Sequence, residues 1–199
     1  MDMSEIRQNN LRNNEKIKEA IKTILKEIGE DPDREGLQRT PFRWAKAAEE
    51  WFGGYNKDPK EVLNRTFTEK SDLVIEGPIQ FYSMCEHHIA VFYGHIWIGY
   101  VPNKYVTGLD KLIKLVEIYS RRLQIQERLT QQIADAMMEY LDCKGVMVVC
   151  KGNHLCVGSR ETKNQSTKTI TSAVRGIFEK DSILRAEFLS LINLNEGER

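Results

Sequence analysis

An α+β fold is predicted, in which a four-stranded antiparallel sheet carries two helices on one face and follows an N-terminal helical region. Three observations predict it. Apolar residues recur at helical spacing early in the chain, β-branched and aromatic residues gather in strand-length runs from Leu73 onward, and the later patterns run β, β, α, α, β, β. A single antiparallel sheet with both helices on one side accommodates that order. The implied division is a helical region over 1–70 and a sheet-bearing domain over 71–199 with a C-terminal helix.

Residues 1 to 13 lack apolar periodicity and read as an arm or frayed helix start. Ile17, Ile21, Ile24, Leu25 and Ile28 make the apolar stripe of a first helix, with Gly29 as its C-cap. Thr40 is placed to cap a second helix whose first residue is Pro41 and which runs to about Trp51, where Gly53 and Gly54 end it. The polar run from Asn56 to Lys70 reads as a connection. LVIEGPIQFYSM and IAVFYGHIWIGYV have strand composition. Leu109, Leu112, Ile113 and Val116, then Leu129, Ile133, Met137 and Tyr140, mark two amphipathic helices. GVMVVCKGNHLCVG and TKTITSAVRGIF return to strand, and Leu184, Phe188, Leu191 and Ile192 belong to a last helix. The strands are apolar on both sides, so the second sheet face needs a cover, and self-association is the expected one.

Of the 199 residues, 41% are hydrophobic and 29% charged, and 29 basic residues balance 29 acidic ones. That is the composition of a soluble globular protein, without the basic surface of a nucleic-acid binder. No apolar run reaches the roughly 18 to 20 residues a membrane-spanning helix needs. The polar N-terminus lacks the apolar segment of a secretory signal, so a cytoplasmic protein is expected, with its four cysteines as free thiols or metal ligands.

Chemistry concentrates in two windows. SMCEHH at 83–88 and HLC at 154–156 hold three of the four histidines and two of the four cysteines. Cys85 and His88, three apart, converge within one turn, while His154 and Cys156, two apart, share a face if they lie in a strand. Mixed thiolate and imidazole donors suit Zn²⁺. Five groups are available: Cys85, His87, His88, His154 and Cys156. Four would close a structural site; three would leave a position for water, with the spare histidines beside it as acid and base. The lack of regular paired CxxC knuckles favours the open site. His95, alone in a strand, and Cys143 and Cys150, without partners nearby in sequence, read as structural.

CEHH, QIQERLTQQIADAM, HLC with a following Arg, TKTITSAVRGIF and the earlier REGLQRTPFRWAKA closely resemble the GTP cyclohydrolase I family, from about residue 14 to residue 192. The resemblance implies a tunnelling fold whose subunits join their sheets into a barrel, a homo-oligomer of ten chains with sites at subunit boundaries. It implies Cys85, His88 and Cys156 as ligands of Zn²⁺, and His87 and His154 as catalytic groups flanking the substrate base, His154 protonating an imidazole nitrogen of guanine. The implied reaction takes GTP and water, opens the imidazole ring, releases formate and rearranges the remainder to 7,8-dihydroneopterin triphosphate. Zn²⁺ lowers the pKa of water toward neutrality, which suits that hydrolysis. Gln126 and Glu127 are implied substrate contacts, the Glu127 carboxylate accepting from guanine N1 and its exocyclic amine; the same acid also suits a helix start. Lys111, Lys114, Arg160 and Lys168 are implied triphosphate contacts.

The chain departs from the family pattern at several points. CEHHIAVFYG replaces the common CEHHLLPFFG, Asp110 stands where Ser is common, Lys114 where Arg is frequent, and Glu161 replaces a glycine beside Arg160. Two extra carboxylates beside a triphosphate are unfavourable unless neutralised or turned away. Two other functions are weighed against the cyclohydrolase: a tunnelling-fold relative acting on another purine or pterin, such as a nitrile reductase of queuosine synthesis, and a non-catalytic zinc-stabilised nucleotide-binding ring. The three-donor metal set disfavours the first, and the two spare histidines disfavour the second.

Overall fold

The computed structural model describes residues 14–196, apart from 65, 70 and 161–166. The chain forms two compact units, one ending at Lys57 and the other beginning at Asp58.

In the first unit, α1 (Asn14–Glu27) packs on α2 (Thr40–Trp51), and a 3-10 turn follows at Gly53–Asn56. The apolar stripe of α1 is only half used: Ile21 and Leu25 are buried, while Ile24 and Ile28 stay exposed. Gly29 takes φ +88°, the left-handed value that ends a helix without a Cβ penalty. Thr40 is the first helical residue of α2 and does not cap it. The cap is Arg39, which makes no side-chain capping bond, and the proline at the helix start supplies the fixed φ instead.

The second unit contains α3 (Pro59–Leu63), β1 (Thr66–Thr68), β2 (Val74–Cys85), β3 (Ala90–Pro102), β4 (Tyr105–Thr107), α4 (Leu109–Ser120), β5 (Leu123–Gln124), α5 (Gln126–Tyr140), β6 (Cys143–His154), α6 (Leu155–Gly158), β7 (Thr169–Gly176), α7 (Ile177–Lys180) and α8 (Ser182–Glu196). The long strands pair antiparallel in the order β2-β3-β6-β7, as the β, β, α, α, β, β pattern requires. The expectation of four strands needs correcting: two-residue β5 adds to the edge of β2 in parallel, matching Met84 with Leu123 and Cys85 with Gln124. Two residues show no periodicity, so nothing in the sequence marks them. The presumed connection over 56–70 also holds α3 and β1, and β1 pairs with β4 as a separate two-stranded ribbon.

Helices α4 and α5 cover one sheet face, burying Leu112, Leu115, Val116, Leu129, Ile133 and Met137 against Phe81, Phe92, Ile96, Ile98, Val146 and Val148. The other face is not left wholly to self-association. Phe178, Phe188 and Ile192, from α7 and α8, form a second core there with Trp97, Val101, Met147 and Val149. Gly99 makes room for it, since a Cβ at that position would lie 2.4 Å from the Phe188 ring. Toward the other end of the strands the face stays open, with Tyr82 and Tyr93 exposed and stacked 5.8 Å apart.

Candidate metal centre and active site

The site lies where β2 ends, where β6 ends and where α5 begins. After Cys85 the chain turns sharply: the amides of His88 and Ile89 both donate to the Cys85 carbonyl, at 3.4 and 2.8 Å, and Ile89 closes the turn at φ +49°. A β-branched residue is costly in that conformation, so the surrounding strand pairing must hold it there. The turn lifts His87 and His88 into solvent while Cys85 stays buried. Each histidine Nδ1 lies 3.9 Å from Cys85 Sγ.

On the other side, β6 stops at His154 and the single-turn α6 begins at Leu155. HLC is therefore a strand end followed by a helix start, and the same-face argument from strand spacing does not hold. The bend still carries Cys156 to the metal group. One donor atom from each of Cys85, His88 and Cys156 lies within 4.8 Å of the others. Tetrahedral Zn²⁺, with bonds of roughly 2.0–2.3 Å, holds neighbouring donors about 3.5–3.8 Å apart, so a small contraction suffices. Burial raises the Cys156 thiol pKa and the adjacent Cys85 raises it further, because two thiolates this close repel without a cation between them. Donor chemistry and geometry both fit a divalent, sulfur-tolerant metal ion, and Zn²⁺ fits best by type.

These groups line a cavity of about 320 Å³. His87, Gln126, Glu127, His154 and Arg160 line it alongside the three metal donors. Glu127 stands in the first turn of α5, facing the cavity in a position that also suits the helix dipole. His154 is half-buried; burial holds its imidazole below its ordinary pKa while the Glu127 carboxylate pulls the other way. Its ring lies flat on Phe92, 4.7 Å between centroids and 4° between planes. Its Nε2 is 2.9 Å from Gln126 Oε1. Arg160 donates to the Cys156 carbonyl at 3.0 Å, which anchors its stem beside the cavity.

The remaining implied phosphate contacts are not part of this cavity lining. Lys111 and Lys114 stand in the opening turns of α4 and both bind Asp110, at 3.0 and 2.9 Å. The extra carboxylate at position 110 is thus neutralised by the cations it was expected to disturb. Lys168 is exposed just ahead of β7. Glu161 lies outside the described residues.

Several contributors carried no signal of their own in the sequence. Phe92 meets His154 only through the pairing of β3 with β6, where the two are register partners. Arg128 donates to Glu86, tying the start of α5 to the turn that presents the histidines. The Glu86 amide donates to the Gln124 carbonyl at 3.0 Å, so β5 braces the same turn. Cys143 and Cys150 are structural: burial pushes their thiols up to about 11 and about 12, so neither is a thiolate at neutral pH.

Comparison with known proteins comes to the same region of sequence space. Residues 17–193 match the family model described as GTP cyclohydrolase I. A protein named GTP cyclohydrolase 1 from Clostridium perfringens (strain 13 / Type A) is 50% identical over 181 residues, spanning 90% of this chain and 98% of that one. One of the same name from Carboxydothermus hydrogenoformans is 52% identical over 180 residues, spanning 89% and 94%. Another, from Campylobacter jejuni (serotype O:6, strain 81116), is 50% identical over 180 residues, spanning 89% and 95%.

Proposed function

The chain belongs to the GTP cyclohydrolase I family, and from that premise we propose that it opens the imidazole ring of GTP by hydrolysis, releases formate and rearranges the product to 7,8-dihydroneopterin triphosphate. It is an enzyme, a hydrolase acting on a cyclic amidine, and it serves folate or related pterin synthesis. The observation that carries the reading is one cavity holding a Cys85, His88, Cys156 donor group with two further imidazoles and a carboxylate.

Each residue has a task that its chemistry permits. Cys85, His88 and Cys156 hold the metal ion, which we take as Zn²⁺. Bound there, it supplies a Lewis acid that activates water. Three protein donors leave room for that role where four would close the site. His154 gives a proton to a ring nitrogen of guanine, making the adjacent carbon more electrophilic, and His87 handles protons on the solvent side. Glu127 accepts hydrogen bonds from guanine N1 and the exocyclic amine, a donor pair that adenine lacks. Arg160 and Lys111 bind triphosphate oxygens, with Lys114 and Lys168 as further cations.

In this reading 71–199 is the catalytic domain, with the tunnelling fold, preceded by the helical region 1–70, whose last stretch from Asp58 belongs to the second compact unit and pairs β1 with β4. A cavity of about 320 Å³ is at the small end for a ligand site, and the lysines of α4 lie outside it. Both facts favour a site completed by neighbouring subunits of a homo-oligomer, for which we propose a decamer. The described cysteines are all free thiols, which suits the cytoplasm. No described helix is long and apolar enough to cross a membrane.

The test is direct. Zinc-loaded protein incubated with GTP should release formate and, after oxidation, a fluorescent pterin. Absence of both from protein with metal bound and its assembly intact would overturn the assignment.

A further inference from the structure

Gln126 occupies the most constrained polar position in the cavity wall. It is the first residue of α5, 1% exposed, and its amide nitrogen lies 3.1 Å from the Cys150 carbonyl, 3.0 Å from the Thr169 carbonyl and 3.2 Å from Thr171 Oγ1. Two carbonyl oxygens facing one end of the amide decide which end is NH₂, because the flipped amide would set oxygen against oxygen. The hydroxyls agree. Thr130 Oγ1 donates to the Gln126 carbonyl at 2.8 Å, so its only hydrogen is spent. Thr171, 2.6 Å from Thr130 Oγ1, must then be the donor in that pair, which leaves its own oxygen to accept from Gln126 Nε2. A closed circuit results, from the Gln126 side chain through Thr171 and Thr130 back to the Gln126 main chain.

That circuit leaves Oε1 as the free acceptor of the amide, and His154 Nε2 sits 2.9 Å from it. An acceptor on the protein side requires a donor on the ring. Gly152 makes the approach possible: a Cβ there would lie 2.3 Å from Gln126 Oε1. Phe92, stacked flat on the imidazole, holds the plane in which that hydrogen bond is made.

We propose that Gln126 is a positioning residue that locks neutral His154 in the Nε2–H tautomer, so that Nδ1 is the nitrogen that exchanges protons with the substrate. The imidazolium gives its Nδ1 proton to a purine ring nitrogen, whose lone pair forms the new N–H bond, and the ring returns to the neutral Nε2–H form that Gln126 holds. The catalytic half of this proposal rests on the cyclohydrolase reading above; the tautomer itself does not. Gln126, implied by resemblance to touch substrate, acts here through His154, with its side chain committed inside the protein.

The test uses zinc-loaded enzyme labelled with ¹⁵N-histidine. Two-bond proton–nitrogen correlation spectra at alkaline pH show which ring nitrogen of each neutral histidine carries the proton, and His154→Asn assigns the signal. The wild type should show Nε2–H. Gln126→Met, which keeps volume and removes the amide, should mix the tautomers and lower kcat about 100-fold while KM moves by less than about threefold. Gly152→Ala, which leaves Gln126 in the sequence but drives a Cβ against its amide oxygen, should do the same and decides the matter if Gln126→Met does not fold. An Nδ1–H ring in the wild type overturns the proposal, as does any variant in which tautomer and kcat part company. If wild-type enzyme forms no product from GTP, the functional reading fails, while the wild-type spectrum still decides the tautomer.

Discussion

Phe92 and His154 are register partners across β3 and β6 and also parallel ring partners, 4.7 Å apart. A fully buried core residue on the middle strand thus forms the floor under a site imidazole. Packing and chemistry are coupled at this contact. Phe92→Ala should cost about 3–5 kcal/mol of stability, as large-to-small core changes do. Phe92→Leu should cost much less in stability yet still lower kcat by about tenfold, because a branched aliphatic chain fills space without fixing a ring plane. Chemical denaturation and steady-state kinetics on the two variants separate these effects.

Removing a metal donor differs from removing an acid. Cys85→Ser and Cys156→Ser should each abolish stoichiometric zinc binding, measured by metal analysis after gel filtration. His154→Ala should retain zinc and lose turnover by at least about 100-fold. Loss of metal in that last variant would mean that the donors are wrongly assigned.

Zinc affinity should depend on pH in a defined direction. Burial and the neighbouring thiol raise the Cys156 pKa, so its proton is still bound at neutral pH in the metal-free protein and must be displaced by the metal. Apparent affinity therefore rises with pH, by about tenfold per unit while the Cys156 proton is being displaced, and that rise ends once this thiol is ionised. Competition with a chelator across the neutral to alkaline range measures the slope.

Asp110 clamps Lys111 and Lys114, and those two ammonium groups, Lys114 first, hold its carboxyl below its ordinary pKa. A depressed carboxylate stays charged through neutral pH, so the clamp opens only as pH falls through the lowered value. If both lysines serve the triphosphate, Asp110→Ser should lower KM for GTP by about fivefold and leave kcat nearly unchanged. The gain should shrink in high salt, since exposed charges are screened. A KM that does not move would remove these lysines from the substrate site.

In the proposed reading the Glu127 carboxylate, which lines the cavity, recognises guanine. Glu127→Gln replaces an acceptor with a group that presents NH₂ to the base, and kcat/KM for GTP should fall by about 100-fold or more. Comparing GTP with inosine triphosphate, which lacks the exocyclic amine, checks the geometry: the two substrates should converge in the variant.

That Cys85, His87, His88, His154 and Cys156 belong to one site region was legible because histidine and cysteine are scarce and concentrate in two short windows; which three stand together as a possible metal group came from the family resemblance and not from the spacing. The four long strands and the two central helices were legible because their periodicity extends over many residues. What the sequence hid depends on pairing at a distance. Phe92 and Gly152 acquire their roles from strand register, Thr130 and Thr171 from a contact between α5 and β7, and β5 from an edge only two residues long. The cover that α7 and α8 give the second face was hidden for a similar reason: few side chains are involved, chiefly Phe178, Phe188 and Ile192. Ile24 and Ile28 show the opposite error, a clean apolar stripe of which half remains exposed.

Gly99 lies on the middle strand under the Phe188 ring. On the ribosome, that strand and its neighbours emerge first and expose an apolar hollow until Phe188 follows about 90 residues later. Until then Trp97, and Met147 once its strand has been made, lack their Phe188 cover and face water or a chaperone, which leaves the nascent chain open to aggregation before its final helix arrives.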